Sequence, residues 1–355
     1  MDLLEIHLKK DSVILKKFKK VPKVINVSLD LRCIKNVSLT IITEEHCLMR
    51  IVFMGTPFFA TKVLDTLIAG GHSVLGVYTQ PDKKSGRGRQ LINPPIKQYA
   101  LEKGIPIVQP TKFGSTDEDI KYFQSFNADV AIVCAYGQIL PKQALNIFDY
   151  GCINIHPSLL PRYRGPSPVA SAILNGDDET GVTVMSLDAG MDTGPILNQK
   201  KVRIKKNESC TLLTERLFET GASLLLDILD KQTKGTIDPI DQDSSKATYT
   251  HLFTKKHGLI NWTLSSTKIS LLVRALNPWP GSYTFLDGNI FKIIDAVPVD
   301  CPVLDPGIIL IDKKIFVGTG EGTLQINNVQ LEGRKVTSGE DFAKGHTDIN
   351  GMQLG

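Results

Sequence analysis

The stretch that most constrains the fold begins at Arg50. Arg50-Ile51-Val52-Phe53-Met54-Gly55 is a short apolar run closed by glycine, and Thr56-Pro57 then opens a segment with Phe59, Val63, Leu64, Leu67 and Ile68 at helical spacing. Threonine followed by proline starts a helix, because proline's fixed φ suits a first turn and its missing N–H is not needed there. Gly70-Gly71 stops the helix, and residues 73–79 read as a second strand. Strand, helix and strand in so short a span make a right-handed crossover, so the sheet they enter is rich in parallel strands. Open sheets of this kind bind ligands at the carboxyl ends of their strands. The first turn reads Gly-Thr-Pro, which lacks the glycines a dinucleotide pyrophosphate needs for close backbone approach, so no NAD is expected despite the Rossmann-like start.

The alternation continues. Helices are predicted over 95–103 and 115–126, strands over 105–108 and 129–134, and a short helix after Tyr136 to Pro141. An apolar run then enters the stretch 151–167, followed by a helix over 167–174, strands over 180–187 and 196–204, and a long amphipathic helix over 209–231. Residues 232–250, rich in Asp, Ser, Gln and Thr, read as a linker. Beyond them the pattern shifts to short strands, with a hairpin over 282–294 turning at Asp287-Gly288 and further strands over 308–311, 314–317 and 324–331. Strands at such close spacing suggest a small OB-fold-like β-barrel. The expected organisation is a Rossmann-like α/β domain over 49–231, the linker, and a β domain over 251–355. Residues 1–48 hold no turn chemistry that would close a domain and are expected to be an extension without catalytic role, or an upstream-start artefact, since Met49 directly precedes the first strand. Asp2, Glu5, Asp11, Glu44 and Glu45 argue against a transit peptide.

No window approaches the roughly 18 apolar residues of a membrane span. Six scattered cysteines with no C-x-x-C pair fit reduced thiols in the cytoplasm and predict neither a disulfide framework nor a metal site. The net charge is +4, of which residues 1–48 supply +3 with nine Lys/Arg and six Asp/Glu. A surface for a nucleic acid must therefore come from local clustering. One cluster stands out: the loop 80–90 carries Lys83, Lys84, Arg87 and Arg89 against Asp82, with Gly86 and Gly88 flanking Arg87. It reads either as a solvated surface loop or as a flexible basic finger for phosphates and bases.

Chemistry concentrates in Gly151 to Ser167. Asn154 offers an amide donor and His156 an imidazole able to act as acid or base where a buried strand meets a loop; Asp192, between glycines, adds a carboxylate. Singly, each has a plain structural role: a satisfied core histidine, a turn-capping asparagine, an aspartate of turn chemistry. At adjacent strand ends they describe an amide aimed at a developing oxyanion, a base for an attacking group, and a carboxylate that orients the imidazole. No Ser or Cys stands in an elbow beside them, so direct group transfer is expected over a covalent acyl-enzyme.

Asn-x-His-x-Ser-Leu-Leu-Pro-x-x-x-Gly at 154–165 and Asp-x-Gly-x-Asp-Thr-Gly at 188–194 resemble the 10-formyltetrahydrofolate-dependent formyltransferases. Further segments at 53–60, 79–88, 135–141 and 274–280 resemble the branch of that family whose acceptor is a charged tRNA, and the resemblance runs from about Met49 to about Lys344. It implies that Asn154, His156 and Asp192 are catalytic and that Ser158, Leu159, Leu160 and Pro161 form the folate-binding segment. It also implies that Arg87, with Lys83, Lys84 and Arg89, meets the acceptor arm of initiator methionyl-tRNA, with a further basic contact from the C-terminal OB-fold. The implied co-substrate is 10-formyltetrahydrofolate, without metal or NAD, and the implied product is N-formylmethionyl-tRNA for translation initiation. A cytoplasmic monomer is expected. Pro157 stands where some members have Gly; it stiffens the turn. Two rivals remain open: the same chemistry on a glycinamide ribotide or an amino sugar, or formyltetrahydrofolate hydrolysis; and a noncatalytic nucleic-acid-binding protein that uses the basic loop and barrel.

Overall fold

The computed structural model describes residues 48–85, 90–300 and 304–355, together with the backbone of 8–9 and 12–13. The chain forms two compact units, Met1–His46 and Cys47–Gly355. In the first, β1 (Leu8–Lys9) and β2 (Ser12–Val13) pair antiparallel; apart from these and Leu48, the expected extension lies outside the described residues.

In the second unit, β3 (Arg50–Gly55) is buried along its length after Arg50, and α1 (Phe58–Ala69) follows Pro57 as its N-cap. Gly71, at φ +86°, takes the left-handed conformation that turns the chain into β4 (Ser73–Tyr78). The basic segment is a hairpin of β5 (Lys83–Ser85) and β6 (Gln90–Ile92) with Lys84 opposite Leu91. The chain continues through α2 (Pro95–Glu102), β7 (Ile107–Val108), α3 (Asp117–Ser125), β8 (Val130–Cys134), α4 (Lys142–Leu145) and β9 (Cys152–His156). Then come α5 (Pro168–Leu174), β10 (Glu179–Ser186), β11 (Ile196–Arg203) and α6 (Cys210–Thr233). A capping box between Thr116 and Asp119, with Asp117, Glu118 and Asp119 in the first turn, starts α3.

The sheet has the order β11-β10-β9-β8-β3-β4-β7. Its centre is parallel, and β10 and β11 are antiparallel. One face is covered by α1, α2, α5 and α6 around Phe53, Leu64, Ile132, Ile155 and Leu217. Tyr78, Phe113, Phe123, Tyr136 and Phe148 fill the opposite face, mostly in edge-to-face contacts.

The second domain holds α7 (Ser266–Leu276), then β12 (Ser282–Leu286), β13 (Asn289–Val299), β14 (Ile309–Asp312), β15 (Lys314–Gly318), β16 (Thr323–Leu331), β17 (Thr337–Ser338) and α8 (Gly339–Gly345). Its strands form an antiparallel six-stranded sheet with path β12-β13-β16-β15-β14 and β17 against β16. Bulges at Asp295 bend β13, and α7 and α8 close a core of Phe291, Ile293, Ile315, Leu324, Ile326 and Phe342. Neither helix was expected from the pattern of short strands. Among the described residues no helix is long and apolar enough to cross a membrane.

Candidate active site

The parallel centre sends the carboxyl ends of β3, β8 and β9 to one edge, with Gly55 opposite Cys134 and Val133 opposite Asn154. Thr56 Oγ1 donates to the Tyr136 carbonyl at 2.9 Å, and Gln80 Nε2 donates to the Gly137 carbonyl at 2.9 Å, so the loops after β3, β4 and β8 are stitched together. On β9, Asn154 is half-buried, and among the described residues its carboxamide has no hydrogen-bond partner. A donor left free at a strand end is available to a ligand.

His156, 4% exposed, ends the same strand. Its Nε2 lies 2.9 Å from the carbonyl oxygen of Tyr163. A carbonyl only accepts, so Nε2 carries the proton and Nδ1 is the nitrogen left for chemistry. Nδ1 faces Asp192 Oδ2 at 3.7 Å, an ion-pair separation too long for a direct hydrogen bond. Asp192 Oδ2 instead accepts from the Gly165 N–H at 2.7 Å. Asp192 sits at φ +53°, in the left-handed region that a non-glycine residue occupies only under constraint. The other carboxylate of this loop does turn work: Asp188 Oδ1 accepts from the Gly190 N–H and from Thr193 Oγ1.

The segment 158–161 is held by Thr183, which lies opposite His156 in the β9–β10 register. Thr183 Oγ1 donates to the Ser158 carbonyl at 2.6 Å and accepts from the Leu160 N–H and from Gln199 Nε2. Gln199 Nε2 also donates to the Leu160 carbonyl at 2.7 Å. Ser158 and Leu160 are buried, whereas Leu159 and Pro161 are half-buried. Ser158 Oγ is spent on the Arg162 carbonyl at 2.7 Å. What the segment can offer a ligand is therefore Leu159, Pro161 and its backbone. Leu159 packs so closely on Gly181 that a Cβ there would lie 2.3 Å from its Cδ2.

Sequence reasoning missed Thr183 and Gln199, and above all the part played by residues 232–250. Arg164 and Tyr249 form a parallel bridge, with the Arg164 N–H on the Thr248 carbonyl and the Thr250 N–H on the Arg164 carbonyl, both at 2.8 Å. Gln242 bonds Arg164 on one side and the Asp192 loop on the other. The sequence carries no local signal for this, since the partners lie 50 and 78 residues apart.

The basic hairpin is anchored at its base: Asp82 bonds Lys97 at 2.6 Å and Gln109 at 2.8 Å, and these contacts hold its carboxyl below the usual carboxylate range, the Gln109 hydrogen bond first. Lys83 is exposed. Arg87 and Arg89, and the side chain of Lys84, lie outside the described residues. Elsewhere burial pushes the Cys152 thiol up to about 12 and raises Cys134 and Cys210, which disfavours the thiolate at each. Among the described residues no group of His, Cys, Asp and Glu could hold a metal ion.

With this geometry in view, two family models match: formyl transferase over residues 49–229 and formyl transferase, C-terminal domain, over 253–347. The chain belongs to the formyl transferase family. It is 41% identical over 310 residues to methionyl-tRNA formyltransferase of Dehalococcoides mccartyi, covering 86% of this chain and 99% of that protein. It is 45% identical over 303 residues to the protein of the same name from Thermodesulfovibrio yellowstonii, covering 85% and 97%. Among solved structures it resembles HypX from Aquifex aeolicus in complex with tetrahydrofolic acid, with TM-score 0.62 and 17% identity, covering 85% of this chain and 47% of that one. It also resembles the sugar 3N-formyltransferase WlaRD, with TM-score 0.58 and 20% identity, covering 81% and 99%. At these identities the structural likeness speaks for the fold.

Proposed function

We propose that the protein transfers the formyl group of 10-formyltetrahydrofolate to the α-amino group of methionyl-tRNA, acting as a cytoplasmic monomer in translation initiation. The observation that carries the reading is the trio at the end of β9: a free Asn154 carboxamide, a His156 whose Nδ1 is unblocked, and the Asp192 carboxylate 3.7 Å from it. Identity of 41% over nearly the full length of a relative named for methionyl-tRNA supports the acceptor.

The free amine attacks the formyl carbon, and negative charge builds on the formyl oxygen. Asn154 donates a hydrogen bond to that oxygen, an interaction worth roughly 3 kcal/mol in preorganised sites. The attacking nitrogen must lose a proton and N10 of the folate must gain one before the carbon–nitrogen bond breaks. His156 Nδ1 carries the proton between them, and Asp192 stabilises the imidazolium formed on the way. Leu159 and Pro161 form the apolar wall for the folate, with Ser158 and Leu160 holding the segment in shape. Residues 1–48 form an extension with no part in this chemistry, 49–231 the catalytic domain and 251–355 the tRNA-contacting domain.

A polyanionic acceptor also suits the surface. Arg203, Lys205, Lys206 and Arg274 line a cleft of about 590 Å³ against Asp177 and Asp178, between the end of β11 and α7. With the basic sequence stretch that holds Lys83, Lys84, Arg87 and Arg89, this gives the chain two cationic stretches for a phosphate backbone. The test is incubation with 10-formyltetrahydrofolate and either methionyl-tRNA or a nucleotide-linked amino sugar. Formylation of the tRNA alone is expected; formylation of the sugar but not the tRNA would replace the reading, and free formate from either mixture would make the protein a hydrolase.

A further inference from the structure

Asp192 faces His156 from a strained backbone, and something must hold it there. Gln242, in the segment between the two domains, is the group that does. Its Nε2 donates to the carbonyl of Asp192 and to the carbonyl of Gly194, both at 2.8 Å. Its Oε1 accepts from Arg164 Nε at 3.1 Å and Nη2 at 2.8 Å. The orientation of this amide is forced, because a guanidinium only donates and the two carbonyls only accept. Arg164 is 1% exposed, its third nitrogen donates to the Tyr249 hydroxyl at 3.3 Å, and its backbone is fixed by Thr248 and Thr250. The adjacent residue, Gly165, supplies the N–H that Asp192 Oδ2 accepts. Arg164 and Gln242 therefore grip the Asp192 loop at its carbonyls while Gly165 grips its carboxylate.

We infer that Gln242, oriented by the buried Arg164, is a positioning residue for the formyl-transfer centre, acting through Asp192 and touching neither substrate. The inference rests on the proposed role of Asp192. A cation bound to Oε1 polarises the amide and strengthens the two bonds donated from Nε2. Those bonds compensate the left-handed conformation of Asp192. Without them the loop relaxes, the carboxylate leaves its place opposite Nδ1, and a shift of about 1 Å is enough to cost about 100-fold in rate.

The variant that separates positioning from stability is Gln242→Glu. It keeps an acceptor for Arg164, and the pair becomes ionic, but it turns an oxygen without a proton toward the two carbonyls. Expected results are a melting temperature close to wild type, KM for both substrates within about threefold, and kcat lower by about 100-fold. Gln242→Leu, which leaves Arg164 buried without its acceptor, is expected to lose stability as well. In an Asp192→Asn background, Gln242→Glu should cost nothing further, since both act through one carboxylate. A second measurement needs no substrate: amide exchange at Gly165 should quicken at least about tenfold in Gln242→Glu. Unchanged exchange at Gly165, or a full further loss of kcat in the Asp192→Asn background, overturns the inference. Failure of the wild-type chain to formylate methionyl-tRNA strikes the functional reading instead, and the exchange result still decides the role of Gln242.

Discussion

His156 shows how one hydrogen bond decides a role. With Nε2 committed to the Tyr163 carbonyl at 2.9 Å, only Nδ1 can exchange protons, and it is the nitrogen facing Asp192. Asn154→Ala removes a donor that no other group among the described residues uses, so its effect should fall on turnover and leave the fold alone. A loss of about 10²–10³ in kcat with unchanged melting temperature is expected, measured by steady-state formylation of methionyl-tRNA. His156→Ala should lose as much again in rate; because the ring is buried, its melting temperature should also drop. Near-normal turnover in both would remove these residues from the mechanism. The sequence singles out Asn154, His156 and Asp192 as candidates through the Asn-x-His pattern and the glycine-flanked aspartate loop, and the structure sets His156 and Asp192 facing each other. Thr183, Gln199 and Gln242 were not legible there, because a buried hydroxyl or amide is a common residue whose meaning comes only from partners far along the chain.

At the scale of elements, the legible parts were those with a single periodicity. The span 50–55 matches β3 to the residue, and helices α1, α2, α5 and α6 lie within two residues of the expected bounds at either end. Helix α7 was missed although Ile269, Val273 and Leu276 recur at helical spacing behind a Ser265 cap, because strands dominate the sequence around it. The packing of α6 on the site-bearing strand was not legible either. Gly221 lets the helix lie against β9 and β10: a Cβ there would stand 2.6 Å from Ile155 Cγ2 and 2.9 Å from Val182 Cγ2. These are β-branched core atoms that cannot swing away. Gly221→Ala should thus lower stability by about 1–3 kcal/mol in a denaturant titration, although alanine is the better helix former. The control is Ser223→Ala on the exposed side of α6, expected to be neutral or slightly stabilising. A gain at both positions would show that α6 does not bear on β9 at Gly221.

For the whole molecule, the formyl transferase match begins at residue 49, so a chain starting at Met49 is expected to keep the full rate and melting temperature. Glu208, just before α6, is 7% exposed and takes Arg216 Nε at 2.9 Å and Nη2 at 2.6 Å. Its backbone carbonyl accepts from Arg274 Nε of α7 at 3.0 Å, so the same residue meets both domains. Burial alone would raise the Glu208 carboxyl, but the Arg216 hydrogen bonds, the Lys205 N–H and the charges of both residues outweigh it and hold the carboxyl below its ordinary value of 4.5. A depressed carboxyl contributes stability that is fully present above the unfolded value and is lost as pH falls through the folded one. Glu208→Gln should therefore be less stable than wild type at pH 7 by about 2 kcal/mol, because Arg216 loses a buried charged partner. In acid, with Glu208 protonated, the two proteins present Arg216 with a neutral group of the same shape, and the gap should close. Denaturant titrations at pH 7 and at successively lower pH below 4.5 follow the gap as it closes. A gap that stays the same in acid would mean that the shape of the side chain, and not its charge, holds the start of α6 in place.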